Sequence, residues 1–108
     1  MRFRLISLLA LLALGAEAQT YPARAVRMLV GFPPGGGTDI MARVLAPQLS
    51  QQLGQPFVVE NRPGATTNIA SDMVAKSAPD GYTLLFTTSA LAINMSLYKN
   101  LSFDALRD

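Results

Sequence analysis

The chain has 108 residues, half of them hydrophobic, and it contains no cysteine and no histidine. Its net charge is only +2, and because the basic residues are scattered, nothing indicates a nucleic-acid-binding surface. These features indicate a folded chain of one domain at most, and they exclude disulfides, thiolate nucleophiles and imidazole bases from it.

Residues 1–18 have the pattern of a secretory signal peptide. Arg2 and Arg4 form a basic start, the apolar run Leu5 to Leu14 follows, and Ala16-Glu17-Ala18 is a small-x-small cleavage sequence. A run of about ten apolar residues is too short for a membrane-spanning helix, which needs about twenty. We therefore expect cleavage after Ala18 and no stable membrane insertion afterwards. The mature chain then has 7 basic and 6 acidic residues.

The first predicted strand runs from Val26 to Phe32 and ends at two prolines and three glycines. We expect Thr38 to cap the helix that follows, with Asp39 in its first turn, where the helix dipole favours a negative charge. Pro47 lies inside this helix and should kink it, unless the helix has already loosened there. Apolar residues recur at helical spacing up to Gly54, a typical helix stop: Ile40, Met41, Val44, Leu45, Leu49 and Leu53.

A second predicted strand, Phe57 to Glu60, is followed by a turn and by a helix that Asn68 can cap and that reaches about Ser77. The inner face of this helix is predicted to carry Ile69, Met73 and Val74. The run Tyr82 to Thr88 is almost continuously apolar or β-branched, as in a strand that is covered on both faces of a parallel sheet. The tail, Ser89 to Asp108, predicts a short helix followed by an extended piece.

The element order β-α-β-α-β predicts an α/β fold, namely the start of a doubly wound parallel sheet. Three parallel strands leave sheet edges unpaired and one helix face uncovered. We therefore interpret residues 19–108 as the truncated first part of a larger domain.

Three polar loops follow the carboxyl ends of the predicted strands, where open parallel sheets bind ligands. They are Pro33–Thr38, Arg62–Thr67 and Thr87–Leu91. The first loop fails the P-loop pattern because Gly37 stands where a lysine is required, and it fails the dinucleotide pattern because position 40 is Ile40. What remains is a backbone nest at a helix N-terminus that suits a carboxylate, or a tight turn that binds nothing.

The residues of the other two loops each have two possible roles. Thr66, Thr67 and Asn68 either cap the second helix or contact a ligand. The hydroxyls of residues 87–89 either end the third strand or contact the same ligand.

Three segments in this order and spacing resemble the Bug family of solute-binding proteins, also called TctC, the receptors of tripartite tricarboxylate transporters: FPPGGGTD, VVENRPGA and APDGYTLL. The resemblance covers residues 21–108. It implies a two-lobe periplasmic-binding-protein-like fold, of which this chain supplies part of the first lobe. It also implies binding of carboxylated solutes by loops that match Phe32–Asp39 and Thr87–Ala90. Because Thr66-Thr67 stand where many relatives have a glycine-rich pair, the resemblance does not predict the solute.

We therefore expect a monomeric periplasmic receptor that captures a small carboxylate for the membrane subunits of a tripartite transporter, without catalytic residues, metal or cofactor. Two alternatives stay open. The chain is a truncated remnant without a function of its own, or it is an exported α/β hydrolase with Ser89 or Thr88 as nucleophile, although it lacks a G-x-S-x-G elbow. The candidate ligand-binding residues are Phe32, Gly35, Gly36, Gly37, Thr38, Asp39, Thr67, Asn68, Thr87, Thr88, Ser89 and Ala90.

Overall fold

The computed structural model describes residues 18–108, so the predicted signal peptide lies, except for Ala18, outside the described residues. Three strands form a parallel sheet: β1 (Val26–Val30), β2 (Phe57–Asn61) and β3 (Thr83–Phe86). Three helices alternate with them: α1 (Gly37–Leu53), α2 (Asn68–Ala75) and α3 (Ala90–Leu97). The predicted order β-α-β-α-β is confirmed, as is the short helix in the tail.

The spatial order of the strands is β2-β1-β3, so the first strand is the central one. Its alternating side chains are buried on both faces of the sheet, with Val26, Met28 and Val30 on one face and Leu29 on the other. Burial of side chains of this size stabilises the fold by about 1.5–3 kcal/mol each. All four residues of β3 are only half-buried, because β3 lies at an edge. The strand covered on both faces is therefore β1, and not the third strand as predicted.

Helix α1 packs on the sheet through small residues. Ala42 and Ala46 are buried against one face of β1 and against Phe57. The larger apolar residues predicted from the helical spacing mostly face outward, and five of them are between 38% and 60% exposed: Ile40, Met41, Val44, Leu45 and Leu53. Alanines on the inner face allow helix and sheet to approach closely, which larger side chains would prevent. The helix continues through Pro47 and ends before Gly54, whose left-handed backbone confirms the predicted stop.

Helix α2 shows the same preference for small residues at its inner face. Ala70 and Ser71 are buried, whereas Ile69 and Met73 are exposed, contrary to the prediction. Since both crossovers of a parallel sheet are right-handed, the strand order β2-β1-β3 places α1 and α2 on opposite faces of the sheet. The carboxyl ends of all three strands consequently meet at one open edge between the two helix layers.

Candidate ligand-binding site

Three loops lie at this carboxyl edge, and we name them the first loop (residues 31–36), the second loop (residues 62–67) and the third loop (residues 87–89). The first two are in contact, because a Cβ atom added to Gly31 would lie 2.6 Å from Cβ of Thr67. The register that pairs Val30 with Phe86 places Thr87 beside Gly31 on the other side. The structure therefore brings the predicted loops together around Gly31.

Asp39, in the first turn of α1, is a buried carboxylate that is only 3% exposed. It accepts hydrogen bonds from the backbone N–H of Gly35 at 2.9 Å, from the amide of Asn61 at 2.9 Å and from Nε of Arg43 at 3.0 Å. These donors, first of all Gly35, lower the pKa of Asp39 from 3.8 to about 2. The carboxylate is ionised at neutral pH, and its own chain occupies its oxygens. This geometry favours stabilisation of the first loop over the expected direct ligand contact.

Asn61, the last residue of β2, completes this network. Its amide nitrogen also donates to the carbonyl of Phe32 at 3.1 Å, and its oxygen accepts from Arg43 at 2.9 Å. The first loop, α1 and the end of β2 are thus joined by side chains. The sequence interpretation missed Asn61 and Arg43. The i,i+4 spacing of Asp39 and Arg43 was an available signal, whereas the contribution of Asn61 depends on the sheet.

Helix α1 begins at Gly37 with Gly36 as its N-cap residue, and no side chain caps it, so the prediction that Thr38 is the cap is wrong. Gly35 has a φ of 87°, which glycine adopts without strain. Added Cβ atoms at Gly35 and Gly37 would have nothing among the described residues within 4 Å. The first N–H groups of a helix lack intrahelical acceptors and carry partial positive charge. An anion can therefore approach the backbone closely here.

The second loop has a left-handed backbone at three consecutive residues that are not glycine. The φ angles of Ala65, Thr66 and Thr67 are 47°, 52° and 74°. This conformation costs roughly 1–2 kcal/mol per L-residue, and it is least suited to β-branched threonine. Thr67 is buried, and its Oγ1 has no hydrogen-bond partner in the described part of the chain. Strained backbone and unsatisfied polar groups of this kind occur preferentially at functional sites.

The first turn of α2 follows this strained segment directly. The N-cap residue is Thr67 and no side chain caps the helix, so the prediction that Asn68 is its cap is wrong. Instead, Oδ1 of Asn68 accepts from the amide of Asn94 at 2.8 Å, and the same amide donates to the carbonyl of Thr66 at 2.6 Å. The hydroxyls of Thr66 and Tyr98 lie 3.2 Å apart. Helix α3 therefore contacts the second loop, through residues that the sequence interpretation did not identify.

The three hydroxyl groups of the third loop differ in exposure and in hydrogen bonding. Oγ1 of Thr88 accepts from the N–H of Ala90 at 3.3 Å, which places this hydroxyl at the start of α3. Ser89 is exposed and its side chain does not cap the helix. Oγ1 of Thr87 is buried and has no partner among the described residues. Thr88 and Ser89 are thus the exposed third-loop residues whose hydroxyls can donate to a ligand, whereas the hydroxyl of Thr87 is buried.

The arginines near the carboxyl edge are paired with carboxylates of the chain itself. Arg43 lies 3.0 Å from Asp39, and Arg62 lies 3.6 Å from Glu60. Glu60 also accepts two hydrogen bonds from Arg27, which are the main cause of its lowered pKa. The positive potential available to an anion at the first loop therefore comes mainly from backbone N–H groups.

The part of the chain that the structure describes contains neither a candidate metal site nor a candidate membrane-spanning helix. In residues 18–108, no group of three or more acidic, histidine or cysteine side chains has an arrangement that could hold a metal ion. None of the helices in this described part is both long enough and apolar enough to cross a bilayer.

Comparison with known proteins identifies the family. The family model for the tripartite tricarboxylate transporter family receptor matches residues 41–108. The protein BugT of Bordetella pertussis is 52% identical over 99 residues, which are 90% of this chain and 30% of BugT. The chain thus spans less than a third of the length of this relative.

Solved structures of related proteins share the fold. One described as the structure of a periplasmic transporter has a TM-score of 0.76 and 47% identity, over 82% of this chain and 30% of its own. Rpa4515 of R. palustris with adipate has a TM-score of 0.72 and 38% identity, over the same shares of the two chains. MatC of Rhodopseudomonas palustris, with bound malate, has a TM-score of 0.58 and 43% identity, over 60% of this chain and 22% of its own.

These likenesses confirm the predicted fold class, an α/β unit that begins the first lobe of a periplasmic-binding-protein-like fold. They also agree with the expectation of a solute-binding protein and not an enzyme, since the matching family is one of receptors. The chain belongs to the tripartite tricarboxylate transporter receptor family.

Proposed function

We propose that this chain forms part of an exported receptor that binds a small carboxylate in the periplasm and delivers it to the membrane subunits of a tripartite transporter. The observation that carries the proposal is the exposed N-terminus of α1, whose glycine loop is fixed by Asp39 at the carboxyl edge of the sheet. Two relatives with the same fold are described with adipate and with malate, both of which are dicarboxylates.

In this proposal, one carboxylate of the ligand lies against the N-terminus of α1 and accepts hydrogen bonds from the N–H groups of Gly37 and Thr38, since the N–H of Gly36 donates to the carbonyl of Pro33. Asp39 does not repel it strongly, because Gly35, Arg43 and Asn61 surround its charge with donors. Hydroxyls of the third loop contact the ligand from the side of β3. These hydroxyls are those of Thr87, Thr88 and Ser89, and the remaining contacts come from the rest of the candidate set: Phe32, Thr67, Asn68 and Ala90.

The test is ligand-induced stabilisation of the intact gene product by a panel of mono-, di- and tricarboxylates that includes adipate and malate. A ligand at a hundred times its dissociation constant should stabilise the protein by about 2.7 kcal/mol. The absence of a shift with every carboxylate in the panel would contradict the proposal.

A matched pair of variants at Gly37 tests the contact itself. Gly37→Pro removes one backbone N–H at the first position of α1, where proline is well tolerated and where the extended backbone of Gly36 suits a following proline. Gly37→Ala keeps the N–H and meets no atom within 4 Å among the described residues. We expect both variants to fold, and only the proline variant to lose carboxylate affinity. Equal affinities would place the carboxylate elsewhere.

The proposed location and partners need separate measurements. Mass spectrometry of the exported protein should find Gln19 as its first residue, and size-exclusion chromatography should find a monomer. Deletion of the membrane subunits of the transporter should abolish uptake of the carboxylate while the receptor still binds it. Uptake that continues without those subunits would argue against this partnership.

A further inference from the structure

We infer that Asn94 is a positioning residue, which holds the second loop in its left-handed conformation and so makes the shape of the ligand site dependent on α3. The inference deepens the proposed function where it concerns ligand affinity. The positioning itself concerns the unliganded chain and is testable without any ligand.

The contacts of Asn94 lie on both sides of Thr67. Its side-chain amide has two N–H donors, and these reach the carbonyl of Thr66 and Oδ1 of Asn68 at 2.6 and 2.8 Å. Asn94 is only 1% exposed, so water does not readily replace either bond. Loss of this amide would leave the Thr66 carbonyl without its donor at a part-buried position, which is more costly than loss of a fully exposed hydrogen bond.

The second loop needs such support because its backbone is intrinsically unfavourable. Three adjacent L-residues in the left-handed region persist only where surrounding contacts determine their conformation. The contact between the hydroxyls of Thr66 and Tyr98, the residue that follows α3, is at the exposed surface. The hydrogen bonds of Asn94, a buried residue, are better shielded from water, and Asn94 therefore provides the main polar contact that favours the left-handed form.

Asn94 also connects the second loop to the third. Helix α3 begins at Ala90, immediately after the third loop, and Asn94 follows one helical turn later. The hydroxyl of Thr88 accepts from the N–H of Ala90 and so joins the third loop to the start of this helix. A ligand that displaces the third loop would displace α3, and with it the donor that holds the second loop.

The experiment measures local opening of the second loop in the intact gene product without ligand. The N–H of Asn68 donates to the carbonyl of Ala65 across the left-handed segment, so its hydrogen exchange reports this opening. Asn94→Leu removes the donors, keeps the approximate size and is favourable in a helix. We expect exchange at Asn68 to become about tenfold faster or more. The matched control is Asn100→Leu at an exposed position outside α3, which should leave exchange at Asn68 unchanged.

Rescue distinguishes positioning from general damage to the fold. Glycine at position 66 adopts a left-handed backbone without strain, so Thr66→Gly should restore much of the protection that Asn94→Leu removes. Faster exchange throughout the protein, or no effect of Thr66→Gly on the loss, would overturn the inference. So would unchanged exchange at Asn68 in Asn94→Leu.

A second arm addresses the ligand site. Titration with adipate and with malate should show about tenfold weaker binding by Asn94→Leu, with partial recovery in the double variant that also carries Thr66→Gly. If the unaltered protein binds neither compound, the choice of ligand in the proposed function fails, and the exchange measurement still decides the role of Asn94. Unchanged affinity in Asn94→Leu, alongside faster exchange, would show that the second loop does not shape the site.

Discussion

The first and second loops connect a parallel strand to a helix at the same edge of the sheet, yet different interactions stabilise them. In the first loop, glycine occupies the left-handed position at residue 35, and the buried carboxylate of Asp39 binds the loop from four residues away. In the second loop, Ala65, Thr66 and Thr67 adopt left-handed angles without being glycine, and Asn94 contacts them from a distant helix.

The difference separates local from non-local stabilisation. The first loop combines an unstrained backbone with a hydrogen bond to Asp39 of its own helix, and the amide of Asn61 adds to this network from the end of β2. The second loop keeps an unfavourable backbone and depends on a residue 28 positions after Thr66. We therefore expect the first loop to hold its shape in many contexts, and the second loop to respond to changes in α3 and in the third loop.

The largest loss of stability should come from Gly31→Ala, because the added methyl group disrupts the contact between the first and second loops. The new Cβ would lie 2.6 Å from Cβ and 3.0 Å from Cα of Thr67, and the backbone atom cannot move aside like a flexible side chain. Overpacking of this kind costs about 1–3 kcal/mol in stability, measured by denaturant unfolding. Gly37→Ala is the control. If Gly31→Ala is no more destabilising than the control, the two loops are not packed as described.

The next effect concerns Asp39 and the dependence of stability on pH. Because the folded-state pKa is about 2 and the ordinary value is 3.8, ionised Asp39 contributes stability that is fully present above about pH 4. This contribution is lost as the pH falls through 2. Asp39→Asn should lower the free energy of unfolding at neutral pH. It should also make that free energy depend less on pH between pH 4 and pH 2, as measured by denaturant unfolding at a series of pH values.

The control for this prediction is Asp80→Asn, which removes an exposed carboxylate that is paired with Arg24, far from the first loop. It should change stability at neutral pH much less than Asp39→Asn does. Equal losses in the two variants would mean that the buried network around Asp39 has no special role in the first loop.

The sequence predicted what depends on local pattern and missed what depends on packing distance. Parallel strands, the stop at Gly54 and the meeting of three loops followed from periodicity, glycine and topology. The apolar spacing of α1 did not reveal that Ala42 and Ala46 face the sheet, because the choice of face depends on how closely helix and sheet approach. The residues Ala65-Thr66-Thr67 do not themselves indicate positive φ angles, which glycine usually adopts. The glycine-rich pair that many relatives have at positions 66 and 67 was an indirect signal, whereas no local pattern connects Asn94 to this segment.

A smaller loss of stability is expected from Gly35→Ala, which tests whether glycine keeps the backbone of the first loop unstrained. The φ of 87° is unfavourable for alanine, but the added Cβ would meet nothing within 4 Å among the described residues. The cost is therefore that of backbone strain alone, about 1–2 kcal/mol by denaturant unfolding. A neutral result would show that the first loop does not require glycine at this position.

The smallest change in stability should come from Thr66→Gly in the second loop. Unlike the other variants, it should stabilise the protein. Glycine relieves about 1–2 kcal/mol of left-handed strain, but its greater freedom in the unfolded chain offsets about 0.5–1 kcal/mol, and the exposed contact with Tyr98 is lost. The net result should be a stabilisation of at most about 1 kcal/mol, measured by denaturant unfolding. A net loss would mean that the contacts of Thr66 outweigh its strain. A gain would show that the second loop, unlike the first, keeps a residue that is unfavourable for stability, as expected where a loop is retained for its shape and not for the stability of the fold.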